Sequence, residues 1–302
     1  MSDKQRVGVV GLGAMGFGVA QSLLRKGFDV LAYDVRQDVL DQFVLSGGVA
    51  TTSPADMARQ CDIIIIQVVN AVQTESVLFG DGGAASALAA DALVIACATV
   101  SPDYIEGLEK RLRERGIWLL DAPMSGGAAK AASGEMTLMT AGPDEAYARA
   151  GTVLEAMAAR IYRIGSRVGL GTKIKVVNQL LAGVHIAAAA EAMAFGIREG
   201  VAPEMIYDVI THSAGNSWMF ENRVPHILSG DYTPLSAVDI FVKDLGLVLD
   251  TGRLSRFPLP LAATAHQMFL NASAAGHGRE DDSAVIKIFP AISLPEAAER
   301  RG

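Results

Sequence analysis

The sequence predicts a doubly wound, mainly parallel α/β sheet followed by an all-helical region entered through one long helix. Three observations carry this. From Arg6 to about Gly165, short apolar runs alternate with helical stretches, the order of a sheet covered on both faces. The first run leads directly into Gly11-Leu12-Gly13-Ala14-Met15-Gly16, a glycine turn between strand and helix. Beyond Gly165 almost no strand signal remains, and Thr172 to Glu199 holds no proline and only two interior glycines. The domain boundary is placed there: residues 1–164 as a dinucleotide-binding domain with a Rossmann-like sheet, and residues 165–302 as an all-helical domain for substrate and self-association.

The elements follow in order. Arg6 to Val10 is a short buried strand, and Ala14 to Lys26 an amphipathic helix closed by Gly27. Phe28 to Tyr33 is the next strand, ended by Asp34, with a helix from Asp38 to Leu45. Ser53 caps a short helix whose first residue is Pro54, a position where the missing N–H does no harm. Asp62 to Val69 is apolar throughout its centre, as a strand buried on both faces must be. Ala92 to Ala96 and Ile117 to Asp121 are strands around a helix begun by Ser101-Pro102 and ended near Arg115. Met136 to Ala141 and Arg160 to Ile164 add strands around a helix from Asp144 to Ala158. The tail after Phe289 is polar and is expected to fray.

Composition narrows the classes of function. The chain has 302 residues, half of them hydrophobic, with a formal net charge of −7 and no basic run. That speaks against nucleic acid or an anionic membrane as partner. Cys61 and Cys97 lie in apolar strand-like runs and read as small buried hydrophobes in a reducing, cytoplasmic compartment. No Cys/His cluster has metal-ligand spacing, so no metal is expected. The polar start MSDKQR lacks the apolar core of a signal peptide. Lys175, Asn178, His185 and Glu191 interrupt the long helix, which speaks against a membrane span.

In the glycine motif, Gly11 permits the tight turn, Gly13 lets backbone N–H groups approach a pyrophosphate, and Gly16 lets the helix pack against the sheet. The phosphate would lie at the positive end of the helix. Asp34, at the end of the second strand, can accept hydrogen bonds from a ribose and repel a 2′-phosphate, which points to NAD. Arg36 complicates this, because an arginine there could meet a phosphate.

Within the long helix, Ile174, Val176, Val177, Leu180, Leu181, Val184 and Ile186 leave almost no polar side, so the first half is expected to be buried all round. Lys175, Asn178 and Gln179 nevertheless share one face at i, i+3 and i+4. Gly171 and Ala182, one turn to either side, leave room on that face. This reads either as a site or as a lysine snorkelling to water. Ser125-Gly126-Gly127 follows a strand and offers a hydroxyl and exposed N–H groups, a nest for a carboxylate or an ordinary turn. Lys243-Asp244 places a second lysine among apolar residues, a pair also common on surfaces.

Taken together, GLGAMG at 11–16, DAPMSGG at 121–127, GLGTKIKVVNQ at 169–179 and KDLGLVLD at 243–250 resemble the β-hydroxyacid dehydrogenase family, of the 3-hydroxyisobutyrate dehydrogenase type, in order and over nearly the whole chain. The resemblance implies that Lys175 is the catalytic lysine and that Asn178 contacts the substrate. It implies that Ser125, Gly126 and Gly127 hold a substrate carboxylate. It implies a cofactor site of Gly11, Leu12, Gly13, Ala14, Met15, Gly16, Asp34, Asn70, Thr99 and Lys243. Many members carry two asparagines after the lysine. Here the pair is Asn178-Gln179, which leaves the role of Gln179 open. The run 215–234 looks like members acting on four-carbon sugar acids.

Oxidation of an alcohol by hydride transfer needs a base, and a lysine serves if desolvation lowers its pKa toward ~7–8. The expected partners are NAD and a small hydroxy acid. Rival readings are imine reduction, for which Lys175 is the wrong residue, and a silent NAD-binding protein, which leaves the lysine and carboxylate motifs unexplained. Decarboxylation could follow oxidation if the product were a β-keto acid. The polar groups of His212, Ser213, Asn216, Ser217 and Asn222 are expected to read a polyhydroxy substrate. The alanine-rich stretch Ile186 to Phe195 is expected to be buried in a homodimer or homotetramer.

Overall fold

The structure, a computed structural model, describes residues 5–296; the end of the polar tail lies outside them. The chain divides into two compact units, residues 1–175 and 176–302. The division falls inside the long helix rather than at Gly165.

In the first unit, β1 (Arg6–Val10), α1 (Ala14–Arg25), β2 (Asp29–Tyr33), α2 (Gln37–Leu45), β3 (Val49–Ala50), α3 (Pro54–Ala58), β4 (Ile63–Ile66), α4 (Ala71–Phe79), β5 (Leu93–Ala96), α5 (Pro102–Arg113) and β6 (Trp118–Asp121) alternate as the sequence predicts. Then come β7 (Met124–Ser125), α6 (Gly127–Ser133), β8 (Met136–Ala141), α7 (Asp144–Met157) and β9 (Ala158–Gly165). The two-residue β3 and β7 were too short to leave a periodic signal. The sheet order is β3-β2-β1-β4-β5-β6-β8-β7, with β9 on β8. The first six strands are mutually parallel, while β8 runs antiparallel to β6. Strand order reverses between β1 and β4, the switch point where such sheets take their ligands.

The unbroken apolarity of β4 follows from its place at the centre. Ile63 and Ile65 pack with Val7, Val9, Leu93 and Ile95 on one face, whereas Ile64 and Ile66 pack with Val10, Leu31 and Val94 on the other. Successive strand residues face opposite ways, so a strand covered on both sides can hold no polar position.

The long helix, α8 (Leu170–Arg198), is 29 residues and about 43 Å long at ~1.5 Å per residue. After it come α9 (Pro203–Thr211), α10 (Trp218–Ser229), α11 (Val238–Ser255) and α12 (Pro260–Ala272), closed by short helical turns to Ile288. Within the second unit, Ile186, Ala190, Met193 and Ala194 of α8 pack with Phe220, Val224, Phe241, Leu245 and Phe269. Gly183 lets α11 come close, since a Cβ there would lie 2.9 Å from Leu245.

Two expectations about α8 are corrected. Most of Ile186 to Phe195 is already buried in the chain's own core; only Phe195 remains as a large exposed hydrophobic in that stretch. The first half is not buried all round, because Ile174, Val177 and Leu181 are exposed. Apolar residues circle this helix, and one chain covers only one side of it.

Candidate active site

The first unit carries the glycine turn at the switch point. Gly11 has a φ of 92°, and a Cβ on it would lie 2.6 Å from the Gln67 carbonyl oxygen just beyond β4. A Cβ on Gly16 would lie 1.9 Å from the Gly11 carbonyl oxygen. These two glycines are demanded by the chain's own backbone. Gly13 differs: nothing lies within 4 Å of where its Cβ would be, and no side chain caps α1. The first-turn N–H groups, among them those of Ala14 and Met15, therefore carry no side-chain cap at the positive helix end, and Gly13 leaves room beside them. A pyrophosphate fits that cradle.

Asp34 braces the same turn. Its Oδ2 accepts from the Leu12 N–H at 2.7 Å, and its Oδ1 from the Arg36 N–H at 2.9 Å and the guanidinium at 3.1 Å. Burial pushes this carboxyl up, but the Arg36 side chain, the Arg36 N–H and the Leu12 N–H together hold it below the usual carboxylate range. Arg36, whose guanidinium also donates to the Leu12 carbonyl at 3.2 Å, is thus engaged with Asp34. Asn70 caps α4, its Oδ1 accepting from the Gln73 N–H at 2.9 Å. Thr99 lies in the loop after β5, half-buried.

Ser125 ends β7, and Gly126 and Gly127 open α6 with φ of 145° and 78°. No side chain caps α6, which begins two residues after Ser125. Sequence reasoning missed that α6, which follows this loop, packs against α1, which follows the glycine turn. Gly18 of α1 lies so close to α6 that a Cβ would stand 2.5 Å from the Ala132 nitrogen. The signal was present, one further glycine two residues after the motif.

Lys175 closes the first unit with 8 % of its surface exposed, while Lys173 is exposed. Lys173 pairs with Glu106 at 2.8 Å. Asp121, at the end of β6, accepts three hydrogen bonds from the first turn of α8. Burial, partly offset by those donors, pushes its carboxyl up to about 6.

In the second unit, Asn178 and Gln179 continue α8 beyond Lys175. The Asn178 amide donates to Gln179 Oε1 at 2.9 Å, and the Gln179 amide donates to Asp244 Oδ2 at 2.5 Å. Lys243 pairs with Asp244 Oδ1 at 2.6 Å. The open question about Gln179 is thus answered in structural terms: it joins Asn178 to the Lys243-Asp244 pair.

The polar segment 212–222 does not behave as expected. Ser217 caps α10 through the Phe220 N–H, Ser213 donates to the Val209 carbonyl, and His212 bonds the Asp208 carbonyl. Asn222 accepts from Arg223, and the Asn216 amide donates to the Thr211 carbonyl and to Glu221. Helix ends, with their orphan backbone groups, recruited the side chains of His212, Ser213, Asn216 and Ser217, and Asn222 is held by Arg223. Within this segment, Asn216 Oδ1 is buried without a hydrogen-bond partner.

A doubly wound sheet whose switch point holds an uncapped glycine cradle with an acidic residue just after the next strand defines a dinucleotide-binding class of protein. Comparison with known proteins narrows this class. Residues 6–165 match the NAD binding domain of 6-phosphogluconate dehydrogenase, and residues 169–289 match the family described as NAD-binding of NADP-dependent 3-hydroxyisobutyrate dehydrogenase. The chain is 68 % identical to an L-threonate dehydrogenase of Cupriavidus necator, over 98 % of this chain and 99 % of the other. It is 50 % identical to an L-threonate dehydrogenase of Escherichia coli K12, over 96 % and 97 %. A crystal structure described as 3-hydroxyisobutyrate dehydrogenase from Salmonella typhimurium covers 95 % of this chain and 100 % of its own, with TM-score 0.90 and 50 % identity. The chain belongs to the 3-hydroxyisobutyrate dehydrogenase-like, NAD-binding family of β-hydroxyacid dehydrogenases. It is an NAD-dependent oxidoreductase acting on CH–OH groups.

Proposed function

We propose that this enzyme oxidises a small polyhydroxy carboxylic acid, L-threonate, to a 2-oxo (dehydro) tetronate, with Lys175 as the proton-transfer group. The observation that carries the substrate is the 68 % identity to an L-threonate dehydrogenase across nearly the full length of both chains. The helix-capping role of 212–222 removes the separate argument from pocket polarity. Bound NAD supplies the hydride acceptor. The chain's own residues do the rest. Lys175 Nζ takes the hydroxyl proton in oxidation and returns it in reduction. The Ser125 hydroxyl and the N–H groups of Gly126 and Gly127 hold the carboxylate, so that one carbinol carbon is presented. Asn178 hydrogen-bonds the reacting hydroxyl. Gly11 to Gly16, Asp34, Asn70, Thr99 and Lys243 hold the cofactor, and Asp34 favours NAD because a 2′-phosphate would meet its carboxylate.

The testing measurement is absorbance at 340 nm with a panel of small hydroxy acids and each dinucleotide. L-threonate with NAD is expected to give the highest kcat/KM, above that for 3-hydroxyisobutyrate, in keeping with the 68 % identity to an L-threonate dehydrogenase. A preference for 3-hydroxyisobutyrate would overturn the substrate, and equal or better use of NADP would overturn the role of Asp34. We further propose that the enzyme is a cytoplasmic homodimer or homotetramer. The two cysteines, both free and buried, suit a reducing compartment, and the exposed apolar residues of α8 suit a second copy.

A further inference from the structure

Asp121 is 1 % exposed and is a charged group at the end of a central strand. Its Oδ2 accepts from the N–H groups of Gly169 at 3.0 Å and Thr172 at 2.8 Å. Its Oδ1 accepts from the Thr172 hydroxyl at 2.7 Å. These donors belong to the start of α8, where four N–H groups have no partner within the helix. Gly171 is fitted to the same contact. A Cβ on it would stand 2.2 Å from the Met139 carbonyl oxygen of β8 and 3.1 Å from Asp121 Oδ2. The first turn of α8 is therefore pressed onto the end of β6 and onto β8 and tied there by one carboxylate. Lys175 follows Thr172 by less than one helical turn, so a displacement of that turn is passed on to it. In the other direction, Asp121 leads through the buried Ala122, Pro123 and Met124 to Ser125-Gly126-Gly127.

Resting on the assignment of Lys175 as the base, we infer that Asp121 is a positioning residue: by anchoring the first turn of α8 it sets Lys175 against the carboxylate-holding loop that leaves the same strand. Neither end of this tie is a mere helix cap. One end is the strand that feeds Ser125 to Gly127, and the other is the helix that carries the lysine. Proton transfer depends steeply on placement, and a shift of about 1 Å is enough to cost on the order of 10²-fold.

The test uses the full-length enzyme and four variants: Asp121→Asn, Gly171→Ala, Thr172→Val and Lys175→Ala. Asp121→Asn keeps the shape of the side chain and weakens the tie. Gly171→Ala moves the same turn sterically and leaves the carboxylate alone. Thr172→Val removes only the hydroxyl bond. Steady-state kinetics are run with the best hydroxy acid from the panel, and NAD Kd is measured by fluorescence titration. Asp121→Asn and Gly171→Ala are expected to lower kcat at least ~10-fold while NAD Kd stays within about twofold. Thr172→Val is expected to fall between them and the wild type. If kcat is unchanged in folded Asp121→Asn and Gly171→Ala while Lys175→Ala is inactive, the inference is wrong and the base assignment stands. Loss of NAD affinity in parallel with kcat would show general disruption and also overturn it. An active Lys175→Ala removes the base assignment and the inference with it. Should the first two variants fail to fold, Thr172→Val decides: an unchanged kcat there overturns the inference.

Discussion

Lys175 and Lys173 lie two residues apart on α8 and have opposite surroundings. The first is buried; the second is exposed and paired with Glu106. Lys175→Ala is expected to lower kcat at least ~10²-fold, the usual scale for a general acid–base residue, with NAD Kd nearly unchanged. Lys173→Ala is expected to be mild. A Lys175→Ala enzyme that keeps most of its kcat would place the base elsewhere. Gln179 makes a second prediction. Asp244 can only accept, so Gln179 must turn its NH2 toward Asp244 and its oxygen toward Asn178. Asn178 then donates one amide hydrogen to Gln179, which leaves the second to donate to the oxygen of the reacting hydroxyl. Gln179→Leu breaks that ordering and is expected to raise KM for the hydroxy acid several-fold, about the effect of one lost hydrogen bond of ~1 kcal/mol, with KM for NAD unchanged. An unchanged KM for the hydroxy acid would exclude this role. The pattern Lys175-Asn178 was legible because helical spacing alone puts both on one face. Gln179 was placed on that face too, but its role was not legible, because its partner Asp244 is 65 positions away.

At the scale of elements, the junction of β6 and α8 has a pH signature. Burial raises the Asp121 carboxyl from 3.8 to about 6. Between those values the folded protein holds a proton that the unfolded chain has released, so stability falls as pH rises through the window. At ~1.36 kcal/mol per pKa unit the full effect is roughly 3 kcal/mol. Thermal unfolding of wild type and Asp121→Asn at pH 5 and pH 7 is the check. The variant, which cannot titrate there, is expected to lose less stability between the two values, and equal losses would refute the shift. The segment 212–222 is the contrasting element. Its polar residues were visible in the sequence, but composition cannot tell a side chain that meets a ligand from one that meets the nearest helix end.

At the scale of the whole molecule, α8 presents Ile174, Val177, Leu181 and Phe195, the last 66 % exposed. Val184 and Ala188 continue the stripe, so steps of three and four residues run from Ile174 to Ala188, as along a helix seam made to meet another helix, with Phe195 two turns further on. A symmetric partner covers such a stripe with the same stripe. Light scattering at micromolar concentration is expected to give a dimer or tetramer, and Leu181→Glu is expected to shift it toward monomer, because a carboxylate buried in the seam would lack a partner. A wild-type monomer would refute the association.

The sequence by itself determined the alternating sheet, the glycine turn, the acidic residue on the second strand and the lysine helix. Each of these is local: a short apolar run, a turn geometry only glycine adopts, or a helical period. Only the tertiary structure decided that Arg36 engages Asp34, that Asp121 ties β6 to the start of α8, that Gln179 reaches Asp244, and which side of α8 is left uncovered. These depend on which distant segments share a face or an end. Hydrogen bonds and burial act across space, and residues far apart in the chain carry no periodic mark of the partners they will meet.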